Sequence, residues 1–240
     1  MIRPIAIAAS FLGSPAACDC RQALALGLDV SGSVDQAEYR LQLDGVAAAL
    51  QSPEVQQLIL SEGLAPVRMA IFEWSETHHQ RILVNWTDIR VRQDLARIEA
   101  NLSSVTRSNA PQGTALGSAM QFGADLLAQQ SECWKRTLDL SGDGKRNLGP
   151  HPQEVKNELS RSGITINGLV IGVDDADQSD QRTVQVSELT AYFTASVIMG
   201  PDAFVEVALG FDDYKAAMTR KLIRELESLS LSEVGRTTRP

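Results

Sequence analysis

Hydrophobic and polar residues alternate in blocks along the chain, and the blocks follow two different spacings. Short apolar runs bounded by glycine and polar residues, such as the run that begins at Leu24 and the run 164–171, are typical of strands buried on both faces. Between such runs, as in 36–51, apolar residues recur every three to four positions, which is typical of helices. The alternation predicts a doubly wound α/β fold, with a mostly parallel central sheet and helices on both faces.

The predicted elements can be placed in chain order. Strands are expected at the run from Leu24 and at 67–74, 81–86, 136–141, 164–171 and 203–209, and helices at 36–51, 53–60, 88–102, 115–128, 152–161, 186–197 and 212–229. The polar turn 75–79 joins two strands into a hairpin, so one edge strand should run antiparallel to the others. Thr87 is the expected N-cap of helix 88–102, and 174–180 is expected to be a solvated acidic loop.

An Asp-x-Ser-x-Ser cluster, formed by Asp29, Ser31 and Ser33, follows the first strand. Open α/β sheets bind their ligands at the carboxyl ends of their strands, which is where this cluster should lie. One carboxylate and two hydroxyls suit a hard cation, Mg²⁺ before Ca²⁺ or Mn²⁺. The alternative is an ordinary loop before a helix, with Asp35 and Glu38 as a capping box.

Two later loops should reach the same edge of the sheet. The polar segment 103–113 delivers Thr114 to the start of a helix, where a threonine is also a common N-cap. The strand 136–141 is followed by Asp143, which two glycines flank, so that a ligand can approach the backbone closely. Asp139 is the rival carboxylate, but it lies within the strand, and Asp143 is therefore favoured.

This order and spacing of residues resembles the von Willebrand factor A domain and its metal-ion-dependent adhesion site. The segments Asp-Leu-Ser-Gly-Asp-Gly at 139–144 and Gly-Ile-Thr-Ile-Asn-Gly-Leu at 163–169 further resemble an uncharacterised bacterial family of such domains, a domain of unknown function. The resemblance implies that one divalent ion, Mg²⁺ by preference, is held by five residues, Asp29, Ser31, Ser33, Thr114 and Asp143. It also implies a protein partner whose Asp or Glu carboxylate takes an open position on the ion. One departure is Gly142, which stands where the adhesion domains usually have threonine.

Enzymatic functions are less favoured by the sequence. A Mg²⁺-dependent hydrolase or phosphatase with Asp29 as nucleophile would need a cation to hold the phosphate, and only Lys145 and Arg146 are basic near the site. The turn after the first strand lacks the Gly-x-Gly-x-x-Gly pattern of dinucleotide-binding proteins. We therefore expect a binding module without catalytic activity and without a small-molecule cofactor.

Composition limits the partners further. A chain of 240 residues with 43% hydrophobic residues is long enough for one complete α/β domain. The net charge of −8 argues against nucleic acid and anionic membrane surfaces, because such ligands select basic proteins.

The start of the chain reads as an export signal. Arg3, the apolar run 5–13 and the small residues 14–17 predict a signal peptide over 1–17, followed by one domain over 18–230 and a polar tail over 231–240. The apolar run is too short to anchor the protein in a bilayer. The mature protein is therefore expected in the periplasm or outside the cell.

The three cysteines agree with an oxidising compartment. If the first strand and the strand 136–141 are parallel neighbours, Cys20 and Cys133 meet at the bottom of the sheet within reach of a disulfide. Cys18 is then left over and is a candidate for lipidation as the first residue of a mature lipoprotein. Membrane attachment is expected only if Cys18 is acylated.

Overall fold

The computed structural model of the chain describes residues 20–172 and 179–237, with side chains over 20–172 and 183–227. The predicted signal peptide at 1–17, Cys18 and most of the predicted acidic loop 174–180 lie outside the described residues.

Strands and helices alternate through the described part of the chain. The strands are β1 (Cys20–Asp29), β2 (Val67–Trp74), β3 (Gln80–Ile89), β4 (Cys133–Gly142), β5 (Thr165–Ile171) and β6 (Val205–Ala208). The helices are α1 (Gln36–Leu50), α2 (Pro53–Ile59), α3 (Arg92–Ser104), α4 (Leu116–Ala128), α5 (Pro152–Leu159), α6 (Ser179–Ser196) and α7 (Tyr214–Thr237). None of these helices is both long and apolar enough to span a membrane.

The strands form one sheet in the order β3-β2-β1-β4-β5-β6. Only the β2–β3 pair is antiparallel, and every other neighbouring pair is parallel. The predicted fold class is therefore confirmed, including the antiparallel edge strand. The chain adds β2 and β3 on one side of β1, and then β4, β5 and β6 on the other side. The switch point of the topology therefore lies between β1 and β4. Such switch points are where open α/β sheets bind ligands.

The first strand is buried on both faces, as its continuous apolar run predicts. Leu24, Leu26 and Leu28 belong to a core that α1 and α7 cover. Ala23 and Ala25 belong to the opposite core, under α4 and α6. The alternation places helices on both sides of the sheet and leaves only the ends of β1 available for chemistry.

A disulfide joins Cys20 to Cys133 at the start of the two central strands. The two residues are register partners in the parallel β1–β4 pair, and their Cα atoms are 4.8 Å apart. The same two strands end at Asp29 and Gly142, so the crosslink and the candidate site lie at opposite edges of the sheet.

The prediction of a helix over 88–102 with Thr87 as its N-cap is wrong at its start. Thr87 and Asp88 are part of β3, where they pair with β2, and α3 begins only at Arg92. The side chain of Asp94 accepts hydrogen bonds from the N–H groups of Arg90 and Val91, both through Oδ2, at 2.8 and 2.9 Å. A carboxylate inside the first turn thus caps the helix from within, without a cap residue ahead of it.

The last helix is fixed to the sheet by a buried polar cluster. Lys221 forms ion pairs with Asp139 of β4 and with Glu225 one turn further along α7, and all three side chains are at most 3% exposed. Tyr214 at the start of α7 shares a 2.9 Å hydrogen bond with Ser141. Asp139 therefore belongs to the anchor of α7, which continues to Thr237 into the region predicted to be a polar tail.

Candidate metal centre

The first loop of the site contains Asp29, Ser31 and Ser33. The carboxyl group of Asp29 is fully buried, and its Oδ1 accepts a 2.8 Å hydrogen bond from the N–H of Ser31. Its second oxygen, Oδ2, has no hydrogen-bond partner within the part of the chain that is described. The hydroxyls of Ser31 and Ser33 lie 3.3 Å apart. The first loop thus presents one unpartnered carboxylate oxygen beside two hydroxyls.

The second loop brings Asp143 to the same place. Asp143 follows β4 directly, and its Oδ1 accepts a 2.8 Å hydrogen bond from the hydroxyl of Ser33. This contact spans 110 residues of sequence and closes the gap between the ends of β1 and β4. It follows from the parallel pairing of the two strands, which places their carboxyl ends side by side.

The third loop carries Thr114 and is tied to both of the others. The N–H of Thr114 donates to Oδ1 of Asn147 at 2.8 Å, and the N–H of Asn147 donates to the carbonyl oxygen of Thr114 at 3.1 Å. Asn147 lies in the loop that carries Asp143. On the other side, the N–H of Gly32 donates to the carbonyl oxygen of Gln112 at 3.0 Å. All five residues predicted for the site therefore lie on three interconnected loops.

Two further side chains hold these loops in place. They were not identified from the sequence as part of the site. The guanidinium of Arg107 donates to the carbonyl oxygen of Val34 at 2.6 Å, and it also reaches those of Val30 and Ser31 at 3.4 and 3.5 Å. Asn147 and Arg107 act on backbone groups that are 33 or more residues away in sequence. No spacing or periodicity records such contacts, so neither residue has a sequence signature.

A buried carboxylate supports the polar segment 105–113, which follows α3, from below. Glu73 on β2 is 1% exposed and accepts hydrogen bonds from Tyr39 at 2.7 Å, from Arg81 at 2.8 Å and from Ser108 at 3.3 Å. This network gives a loop without secondary structure a fixed attachment to the sheet. It thereby contributes to the placement of Thr114.

The electrostatics of the site are unfavourable for two bare carboxylates. Burial and the nearby charge of Asp143 raise the pKa of Asp29 to about 8. Burial also raises the pKa of Asp143. Among the described residues, neither carboxyl group forms an ion pair with a basic side chain. The pair is therefore expected to hold a proton or a cation at neutral pH.

The donor set can be compared with the needs of different metals. In the described ranges, no three or more His, Cys, Asp or Glu side chains form a group that could hold a metal ion. The five residues of the site offer carboxylate and hydroxyl oxygens alone, which hard cations such as Mg²⁺, Ca²⁺ and Mn²⁺ prefer over softer ligands. The unpartnered Oδ2 of Asp29 is the kind of buried atom that such an ion would satisfy.

Packing explains why glycine stands at position 142. A Cβ atom there would lie 3.3 Å from Cζ of Phe193 and 3.4 Å from Oδ2 of Asp29. It would also lie 3.7 Å from the ring of Trp74. A side chain at this position would thus be tight against Phe193 and in ordinary contact with Asp29 and Trp74.

The family of the chain follows from its sequence. A family model described as "Protein of unknown function (DUF1194)" matches residues 19–230. The chain belongs to this family. A search of curated proteins finds no match.

Solved structures with the same fold are von Willebrand factor A domains. Proximal thread matrix protein 1 from the mussel byssus, with a zinc-occupied metal-ion-dependent adhesion site, has 16% identity and a TM-score of 0.58 over 87% of this chain and 46% of that one. The pilus adhesin SpaC from Lactobacillus rhamnosus GG has 13% identity and a TM-score of 0.58, over 88% of this chain and 30% of that one. A von Willebrand factor type A protein from Catenulispora acidiphila has 14% identity and a TM-score of 0.52, over 86% and 42%.

These comparisons establish the fold. This chain has the fold of a von Willebrand factor A domain, as the resemblance in its sequence implies. It spans about half the length of the byssus protein and less of the adhesin.

Proposed function

We propose that this domain is a divalent-metal-dependent protein-binding module of the adhesion type. Its preferred ion is Mg²⁺, with Ca²⁺ or Mn²⁺ as substitutes, and its partner is a protein that offers an Asp or Glu carboxylate. The proposed ligands of the ion are Asp29, Ser31, Ser33, Thr114 and Asp143. The zinc-occupied site of the byssus protein and the adhesin among the related folds support this class of function.

The observation that carries the proposal is the state of Asp29. This side chain is fully buried, one of its oxygens has no partner among the described residues, and a second carboxyl group lies beside it. A carboxylate that is buried without a partner costs roughly several kcal/mol. A folded protein therefore keeps such a group only with a compensating cation or proton. A divalent cation between Asp29 and Asp143 would remove this cost.

The residues of the site divide the work of binding. Asp29 and Asp143 supply negative charge from two neighbouring strands, while the serine and threonine hydroxyls supply neutral oxygens. A divalent ion bound in this set keeps enough positive charge to attract one more carboxylate from outside the domain. Asn147 and Arg107 hold the loops through hydrogen bonds to backbone groups.

A hydrolase with Asp29 as nucleophile has less support. Asp29 is fully buried, whereas a nucleophile must reach its substrate. Lys145 forms an ion pair with Glu188, and Arg146 donates to the carbonyl oxygen of Gly149 at 2.8 and 3.0 Å. The two basic residues nearest in sequence to the site are thus engaged with other groups.

The proposed setting is the periplasm or the cell exterior. The predicted signal peptide and the disulfide between Cys20 and Cys133 support export to an oxidising compartment. Attachment to a membrane is proposed only for a form lipidated at Cys18.

Thermal unfolding tests the proposal directly. The domain over 18–240 is unfolded with a chelator and then with Mg²⁺, Ca²⁺ or Mn²⁺ in excess. An ion at about one hundred times its dissociation constant adds about 2.7 kcal/mol to the free energy of unfolding. Asp29→Asn and Asp143→Asn should lose this gain.

The control variant is Asp125→Asn, which removes an exposed carboxylate from α4 and should keep the full gain. An equal gain in wild type and in both site variants would show that the ion binds elsewhere. No gain for any of the three ions at millimolar concentration would remove the basis for a metal-dependent module.

A further inference from the structure

A cleft lies directly beside Asp143. It has a volume of about 210 Å³ and lies between the loop after β4, the end of β5 and the middle of α6. Asp143 is part of its lining, so the cleft and the candidate metal centre share a wall. A ligand of the metal that extends past Asp143 would therefore enter the cleft.

The cleft has an apolar floor and a charged rim. Ile171 is fully buried, Leu189 is 7% exposed and Val186 is half-buried, and all three line the cleft. At the rim, Lys145 from the loop and Glu188 from α6 form a 3.4 Å ion pair between side chains that are about half exposed or more.

Gly144 lines the cleft, and the space beside its Cα atom is open. A Cβ atom on Gly144 would meet no other atom within 4 Å. The volume corresponds to about seven water molecules, which exceeds the need of the four carbons of a leucine side chain. The cleft therefore suits one aliphatic side chain and is too small for a folded element.

We propose that this cleft receives the aliphatic side chain next to the acidic residue that the partner protein presents to the metal. The occupant is thus a protein segment in which Asp or Glu is followed or preceded by a residue such as leucine. The shared wall at Asp143 supplies the continuity between the two contacts. The inference rests on the proposed function and names the class of segment that the site selects.

A series of straight-chain carboxylates from acetate to octanoate tests the cleft without knowledge of the partner. The Mg²⁺-loaded domain is titrated with each carboxylate and followed by nuclear magnetic resonance. Affinity should stay constant for the shortest chains and then rise about fourfold for each methylene group that enters the cleft.

The variants isolate the cleft from the metal centre. Val186→Asp, which places a charge in the apolar wall, should abolish the rise while the affinity for acetate and for Mg²⁺ stays unchanged. Val184→Asp is the matched control, because Val184 is 57% exposed on the same helix and does not line the cleft. Gly144→Val narrows the cleft without disturbing the core and should also reduce the rise, whatever Val186→Asp does to folding.

A second set of probes tests the protein origin of the occupant. Acetylated and amidated Leu-Asp and Asp-Leu dipeptides are compared with their alanine counterparts, and at least one leucine peptide should bind several-fold more tightly. A gain seen with fatty carboxylates alone would overturn the assignment to a protein segment.

The outcomes also separate this inference from the proposed function. The domain could be stabilised by Mg²⁺ and bind acetate, yet have equal affinity for every carboxylate in the series. This result would overturn the role of the cleft in binding an aliphatic side chain and leave the metal-dependent module intact. A rise along the series that persists with a chelator would overturn the link between cleft and metal. Failure of the wild-type domain to bind Mg²⁺ would overturn the proposed function.

Discussion

The affinity of the domain for Mg²⁺ should depend steeply on pH near neutrality. Burial, together with the charge of Asp143, raises the pKa of Asp29 to about 8, and the ion must displace the proton that this group then holds. An exposed aspartate, with a pKa near 3.9, would already be ionised throughout this range. The perturbation is therefore a change of pH alone, with no substitution in the protein.

The expected size follows from the pKa. With a value of about 8, Asp29 is ionised in about three-quarters of the molecules at pH 8.5 and in about 3% at pH 6.5. The association constant for Mg²⁺ should fall by the same ratio, about 25-fold, over these two units. With an unshifted pKa it would change by less than about 1%.

Isothermal titration calorimetry at several pH values measures this dependence and also counts the protons released. Close to one proton should leave for each Mg²⁺ bound at pH 6.5, and fewer at pH 8.5. The exposed-site variant Asp125→Asn should follow the wild-type curve. An affinity that is constant from pH 6.5 to 8.5, with no proton release, would refute the assignment of a protonated Asp29 in the metal-free domain.

The same group should affect stability without metal, with a sign that can be stated. A carboxyl group whose pKa is higher in the folded than in the unfolded chain binds more protons when folded, so its contribution decreases as pH rises. The contribution of Asp29 to the stability of the metal-free domain should therefore decrease between about pH 4 and pH 8, and the stability of Asp29→Asn relative to wild type should rise over this range. Chemical denaturation in the presence of a chelator measures both slopes, and parallel slopes would contradict the argument.

Three further predictions concern the scaffold. Gly142→Val should lower the free energy of unfolding by about 1–3 kcal/mol through overpacking against Phe193 and Asp29, whereas Gly144→Val in open space should not, as urea denaturation can verify. Lys221→Met leaves two buried carboxyl groups without their cation and should cost about 3–5 kcal/mol at neutral pH, with part of the loss recovered in acid; an equal loss at pH 5 and pH 8 would contradict this. Replacing both Cys20 and Cys133 by serine opens a crosslink over 113 residues and should cost about 5 kcal/mol in the chain-entropy view, to be compared with dithiothreitol-treated wild type.

The sequence predicts the position of a candidate site residue where that residue lies at the end of a strand. The apolar run of β1 ends at Asp29, and the strand rule alone places Asp29 and Asp143 at one edge of the sheet. The choice of Asp143 over Asp139 rests on the same rule. The structure gives the rival a different environment, because Asp139 is paired with Lys221 under α7.

Sequence reasoning failed where a contact depends on distant backbone groups or on packing. Asn147 and Arg107 bind loop carbonyl and amide groups, and such contacts have no periodicity. The start of α3 was misplaced because Asp94 caps the helix from inside its first turn, while the preceding residues extend β3. The glycine at position 142 could be noticed as a departure, but the sequence does not show that a side chain there would be tight against Phe193.

The direction of β1 has a consequence for how the protein presents itself. Whatever precedes Cys20 joins the domain at the amino end of this strand, and ten residues of strand, about 30 Å, separate that point from Asp29. If the domain were attached to a surface through the amino end of β1, the metal face would point away from that surface. The first strand then connects the point of attachment to the metal face, and the disulfide joins it to β4 at the attached end. Presentation and recognition would thus be set by opposite ends of one strand.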